Sequence, residues 1–234
     1  QRGSHTLFWD NVVFLLQNYG NLFLVGTGYT LLISAITVFF GTVFGALLAI
    51  MRRSNLHIGP VYPLRILVTI YVEVIRGTPM LLQLYFFYFL LPSLVTFLEM
   101  DAFTSVTVAC IVNSTAYVAE IIRAGIDAVD KGQTEAARSL GLSGHQTMLR
   151  VVLPQAVKNI LPALCNEFVS VIKETSLAST FFVGELMSQY RTISGALYMP
   201  IEPLVIVGVI YFLLTFILSK CISAFERRLK ASER

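Results

Sequence analysis

Charge is what this chain has least of. Only 13% of its 234 residues are Asp, Glu, Lys or Arg, against 56% hydrophobic residues and a mean hydropathy of +0.73. A soluble domain carries about 25% charged residues, so a water-soluble globule is excluded. Between Asn11 and Met51 no charged residue occurs at all. Histidine is also scarce: His5, His57 and His145 are scattered without ligand spacing, which argues against a metal site. The cysteines Cys110, Cys165 and Cys221 are odd in number and stand in apolar surroundings. They read as small buried hydrophobes rather than a disulfide framework. A G-x-x-x-x-G-K-[ST] loop is missing, and with it the usual cradle for ATP phosphates. No G-x-S-x-G or H-E-x-x-H motif points to hydrolysis. The net charge of +3 is spread over short loops and makes no surface for nucleic acid.

What the chain has instead is a series of apolar runs. About 20 apolar residues cross a hydrocarbon core, so residues 22–51 hold one tilted helix, closed by Arg52 and Arg53. Within it Gly41 and Gly45 have the spacing that lets helices approach closely. A second span begins near Leu64 and closes at Pro92, because the uncharged stretch 78–91 is too short by itself. It carries Glu73 and Arg76 into the membrane region, and Pro79 is expected to kink it. Further spans cover about 103–122, 155–176 and 204–219. The connection 177–200 is rich in Ser, Thr and Gly and is expected to be partly re-entrant. Residues 7–19 read as an interfacial helix with Trp9 at headgroup depth, and residues 1–5 as an expression-tag remnant. The expected fold is all-α, an integral membrane bundle of five transmembrane helices. Residues 1–20 form the tag remnant and extracytoplasmic segment, 21–226 the transmembrane domain and 227–234 a basic cytoplasmic tail.

Lysine and arginine collect on cytoplasmic loops. Placing 52–65, 123–158 and the segment from Lys220 on that side gathers thirteen of the 17 basic residues there. The N-terminus is then outside and the C-terminus cytoplasmic.

One cytoplasmic stretch is out of character. Gln133–Leu140 (QTEAARSL) reads as a short helix of good formers stopped by Gly141, which suits a left-handed C-cap. Ala136 and Ala137 leave a smooth face flanked by Glu135 and Arg138, open to the groove of another protein. By physics alone it is equally an ordinary surface helix between two spans. Its pattern says more. Glu135-Ala136-Ala137, Gly141 and then Val151-Val152-Leu153-Pro154 resemble the EAA loop of ABC-transporter permeases: EAA, three residues, Gly, nine residues, Ile-x-Leu-Pro. Val151 departs from the usual Ile.

Further stretches narrow the resemblance. Glu73-Val-Ile-Arg76-Gly77-Thr78-Pro79 with Gln83, Asn113 through Gly125, and Asn166-Glu167 with Lys173 through Leu177 are similar to those of the polar amino acid subfamily. The chain thus resembles the permease subunit of a type I (EAA-loop) polar amino acid ABC importer over nearly all its length after residue 20. That resemblance implies the type I importer permease fold and a bacterial plasma (inner) membrane location. It implies as partners a second permease subunit, identical or homologous, and an extracytoplasmic amino acid-binding protein. Two ATP-binding subunits would dock through Glu135, Ala136, Ala137, Arg138 and Gly141. ATP and Mg would belong to those subunits, leaving this chain without a cofactor and without enzyme activity of its own.

Charges inside a membrane cost about 2.5–3.5 kcal/mol each and so face a partner or a cavity. Glu73 and Arg76, three apart, are expected to form a structural ion pair beside the Pro79 kink. Asn113, Tyr117 and Glu120 share one helix face. Of these, Asn113 and Tyr117 are candidates for lining the transport route, and Glu120 for pairing with Arg123. Asn166, Ser170 and Lys173 form one stripe, with Glu167 and Glu174 beside it. A zwitterionic amino acid needs an anion for its ammonium and a donor for its carboxylate. Glu167 and Lys173 supply that pair, or else neutralise one another. The rival reading is an ion-coupled secondary transporter using Glu167, Glu174 or Glu185, against which stand five spans and no visible internal repeat. An intramembrane enzyme would need a nucleophile with a base, and none is found.

Overall fold

The structure is a computed structural model that describes residues 2–54, 60–95 and 100–231. Gln1, His57 and Arg234 lie outside the described residues. Helices joined by short turns make up those residues, with no strand among them. Helix α1, Arg2–Arg52, is unbroken. No break separates the interfacial segment expected at 7–19 from the span expected at 22–51. At about 1.5 Å per residue this helix outreaches a hydrocarbon core of about 30 Å even when tilted. Asn11 donates to the Glu202 carboxylate at 2.8 Å, holding α1 beside the start of the chain's final helix.

Helix α2, Pro63–Arg76, opens on a proline whose missing N–H is one that no helix start can pair. Helix α3 runs Met80–Leu94. Where a kink was expected at Pro79, the chain is broken outright between them. Proline removes a donor and disfavours the α conformation of the residue before it. Freed carbonyls are answered locally, with the Gly77 N–H donating to Glu73 at 2.8 Å and the Thr78 hydroxyl to Val74 at 2.9 Å.

Helix α4 is Ala102–Asp127 and α5 is Lys131–Ser139. Ser143 and Gln146 then form a reciprocal capping box over the short turn Gly144–Thr147. Next comes helix α6, Leu153–Glu174, which passes into the tighter turn Thr175–Phe181. Helices α7, Leu186–Leu197, and α8, Glu202–Ala231, complete the chain. The connection 177–200 therefore contains a helix of its own, and α8 continues through Arg227 and Arg228.

Two wide π turns share one cause. In Phe86–Leu90 the Leu91 N–H reaches back to Phe86, and in Met148–Val152 the Leu153 N–H reaches back to Met148. Each closes one residue before a proline, Pro92 and Pro154, which has no N–H to continue the regular ladder.

Among the described residues, four helical stretches are long and apolar enough to cross a membrane, and five if the broken α2–α3 pair makes one span. They differ in how much they bury. The apolar window of α4 is 61% buried within the protein, while that of α8 is 11% buried. The bare apolar faces, such as Phe39, Ile50, Phe212 and Phe216, suit lipid as solvent. Cys221 is exposed on such a face and Cys165 is half-buried, so only Cys110 is the buried hydrophobe expected of all three. Exposure is tolerable there because lipid is as apolar as a core.

The chain divides into two compact units. One comprises Gln1–Thr37, Met80–Cys110 and Val169–Ser219. Its cores gather Ile33, Leu84, Val106 and Phe181 in one cluster and Leu15, Phe23, Leu186 and Val207 in another. The Tyr88 ring lies 4.5 Å from that of Phe181, which packs the aromatic run of α3 rather than leaving it free. The other unit comprises Val38–Pro79, Ile111–Phe168 and Lys220–Arg234. There Val68 and Val72 meet Ala116 and Ala119, and Ile126 meets Val152, Ala156 and Ile160.

In this second unit the glycine pair of α1 lies against α4. A Cβ on Gly41 would stand 2.8 Å from the Ser114 hydroxyl oxygen, and one on Gly45 would stand 2.7 Å from Val118 Cγ1 and 3.0 Å from the Ala119 nitrogen. Gly45→Val should therefore destabilise the protein by about 1–3 kcal/mol through overpacking. Gly20→Ala, at a helical position with nothing within 4 Å, should be neutral or gain about 0.5–1 kcal/mol. Thermal unfolding of the two variants in detergent checks the contrast, and equal midpoints would refute it.

Candidate functional site

Helix α5 is nine residues long and is capped at its start by Asp130, whose carboxylate accepts the Gly132 N–H. It ends in a Schellman turn: the Leu142 N–H reaches Ala137 at 3.2 Å and the Gly141 N–H reaches Arg138 at 3.0 Å. Gly141 takes φ +85°, and a Cβ there would touch nothing within 4 Å. Its requirement is conformational, as the sequence implied. Arg138 steadies the turn by donating to the Leu142 carbonyl at 2.9 Å.

Glu135, Ala136, Arg138 and Gly141 are exposed. Ala137 is not: it is 4% exposed and faces its own chain, so the smooth face expected of both alanines belongs to Ala136 alone. The α-helical repeat turns adjacent residues about 100° apart, which divides the pair. One residue was missed. Leu140 at the C-cap is 84% exposed, a large apolar side chain standing in the open at the helix end. Its signal was available, since an apolar residue just before the stop glycine is placed by the turn and not by the core.

A carboxylate with three arginines lies nearby in sequence. Glu120 pairs with Arg123 one turn on, with Arg52 at 3.2 Å and with Arg76 at 3.8 Å. Arg123 also holds Asp127 at 2.6 Å. Glu120 and Arg123 pair as expected. Arg76 does not pair with Glu73: that residue is exposed, and no ion pair joins the two among the described residues. The half-buried Glu120 is the more desolvated anion, and it draws Arg76 in place of the exposed Glu73. The Arg76 guanidinium also lies 5.4 Å over the Tyr117 ring. Tyr117 therefore belongs with this charged cluster.

The remaining candidates divide by burial. Asn113 is buried at 5% exposure. Glu167 is half-buried and accepts from the Ser114 hydroxyl at 3.0 Å. Along α6, Asn166 and Lys173 are exposed and Ser170 is half-buried. Glu185 has another occupation. It is fully buried at the N-cap of α7 and accepts from the Ser188 N–H and hydroxyl, each at 2.7 Å, and from the Met187 N–H at 2.6 Å. A carboxylate so occupied with its own helix start is a poor coupling site for a passing ion.

Residues 41–231 match the family of binding-protein-dependent transport system inner membrane components. Among individual proteins, the chain is 40% identical over 210 residues to the arginine transport system permease protein ArtQ of Bacillus subtilis, covering 90% of this chain and 93% of that one. It is 37% identical over 225 residues to the L-cystine transport system permease protein TcyB of Bacillus subtilis, covering 94% and 91%. A crystal structure of an amino acid ABC transporter with histidines superposes with a TM-score of 0.85 at 43% identity, covering 91% of this chain and 96% of that one.

Two variants test the geometry. Glu120→Gln keeps the shape but deprives Arg52 and Arg76 of their anion and leaves Arg123 with Asp127 alone, and should cost about 2–3 kcal/mol of stability; an unfolding midpoint unchanged from wild type would contradict the cluster's role. Gly141→Ala forces a Cβ into left-handed backbone and should cost about 1–2 kcal/mol. Hydrogen exchange should show that loss as faster opening of α5 amides, with α4 unaffected.

Proposed function

The chain belongs to the binding-protein-dependent transport system inner membrane components, as an amino acid ABC importer permease of type I fold, and from that premise we propose that it imports polar or charged L-amino acids, driven by separate ATP-binding subunits. The observation that carries this reading is α5. A short polar helix stands between two membrane spans, capped at both ends, with Glu135, Ala136, Arg138 and Leu140 turned outward. Such a rigid, small-faced knob suits the groove of another protein, with Leu140 as its apolar anchor.

In this reading two ATP-binding subunits hold ATP and Mg and press on the α5 helices of two permeases, this chain and a second that is identical or homologous. An extracytoplasmic binding protein delivers the amino acid on the opposite side, where the N-terminus lies. The asymmetry of Lys and Arg supports that orientation. ATP binding draws the paired helices together and opens the route outward, and hydrolysis returns it inward by rigid-body rocking.

Support for a polar cargo comes from α6. Asn166, Ser170 and Lys173 recur at helical spacing on a membrane span, and exposed polar groups at such a position do not face lipid without cost. Lys173 and Asn166 would meet the substrate carboxylate and Glu167 its ammonium, with Asn113 along the route. Arginine and L-cystine, the substrates named for similar permeases, are both polar amino acids.

The test is ATP-driven uptake in proteoliposomes holding the complete transporter. Leu140→Asp should release the ATP-binding subunits and lower uptake at least tenfold. Glu167→Ala should lower uptake comparably while the subunits stay bound. Wild-type-like uptake by Glu167→Ala removes that residue from the route. Uptake that follows an ion gradient without ATP overturns the whole reading.

A further inference from the structure

At the end of α1 lies a cavity of about 510 Å³ with an unbalanced lining. Arg52, Arg53, Arg65 and Arg123 border it, and Asp127 is the single carboxylate among the described residues that line it; Tyr62 adds a hydroxyl. Two of the arginines are already spoken for, Arg52 by Glu120 and Arg123 by Glu120 and Asp127. Arg53 and Arg65 are exposed and have no ion pair among the described residues. Two cations with no ion pair among the described residues thus converge on a polar hollow already shaped by an ion-pair cluster.

The walls beyond the hollow are apolar. One turn before Arg53, Ile50 is 70% exposed on α1. Just after Arg65, α2 turns Ile66, Leu67, Ile70 and Val74 outward along its length, while Val68 and Val72 face the core. A basic hollow continued by two bare apolar helix faces matches an amphiphile with an anionic head and hydrocarbon tails. A free anion would use the arginines and leave those faces idle.

We propose that this cavity is a binding site for the phosphate-bearing headgroup of an anionic phospholipid, held by Arg53 and Arg65, with its acyl chains along the outer faces of α1 and α2. Arg52 and Arg123 stay with Glu120 and Asp127 and add field rather than direct bonds. The hollow is roomy enough for a phosphoglycerol head, within the range of about 300–1,000 Å³ usual for small-molecule sites. Each basic residue near an anionic lipid surface contributes about 1 kcal/mol, so loss of two should weaken binding about thirtyfold.

The experiment is lipid titration of the purified full chain in neutral detergent, read by native mass spectrometry and by thermal unfolding. Phosphatidylglycerol should bind and raise the unfolding midpoint, and phosphatidylcholine and inorganic phosphate should not. Arg53→Gln with Arg65→Gln should unfold like wild type without lipid and bind phosphatidylglycerol about thirtyfold more weakly. The corresponding double lysine variant should retain most of the binding, which separates charge from damage to the fold. Equal response to phosphatidylcholine overturns the proposal, as does unchanged binding by the double glutamine variant. If inorganic phosphate competes fully with the lipid, the site is one for free anions. No arm of this test requires transport, so it stands or falls apart from the proposed function.

Discussion

Glu120 is the anion on which the ends of three helices depend. Arg52 comes from the close of α1, Arg76 from the close of α2 and Arg123 from the same α4 as Glu120 itself. A carboxylate that is 21% exposed cannot be stripped of its partners cheaply. Each arginine in turn would be costly to carry deeper into hydrocarbon. The cluster therefore ties the ends of α1 and α2 to the last turns of α4. Helix α5 starts four residues after Asp127, the last member of that network.

Close approach does the complementary work within the apolar part of the same unit. Gly41 and Gly45 leave α1 without side chains where Ser114 and Val118 of α4 come near. Ser114 then donates to Glu167, which gives a polar residue of α6 a partner inside the protein. The Tyr71 hydroxyl likewise donates to the Val112 carbonyl at 2.7 Å. Small residues and hydroxyls thus substitute for the hydrophobic drive that lipid does not supply between helices.

Prolines act as the other organising constraint. Pro79 breaks a span in two, while Pro92 and Pro154 each widen one turn into a π turn. The difference lies in their neighbours along the chain. Gly77 and Thr78 offer a stop before Pro79, with a flexible residue and a hydroxyl to quench carbonyls. Before Pro92 and Pro154 stand apolar residues with no such option, and the helix absorbs the lost donor by reaching one residue further.

Much of this was legible in the sequence because it is local. Apolar length marked the spans, the composition of 133–140 marked α5, and Gly141 marked its stop. All of these arise from the chemistry of adjacent residues. The continuity of α1 was not legible, since a helix carries no signal for a break that does not happen. Nor was the inward face of Ala137, which depends on what packs beneath it. The partner of Arg76 was misread in favour of the neighbour three residues away. By itself the sequence determined which segments are apolar enough to enter the membrane, which stay in water and where the short helix α5 ends. Only the tertiary structure decided which carboxylate answers which arginine, because Arg52 and Glu120 are 68 residues apart and meet through space, where distance and desolvation choose the pair.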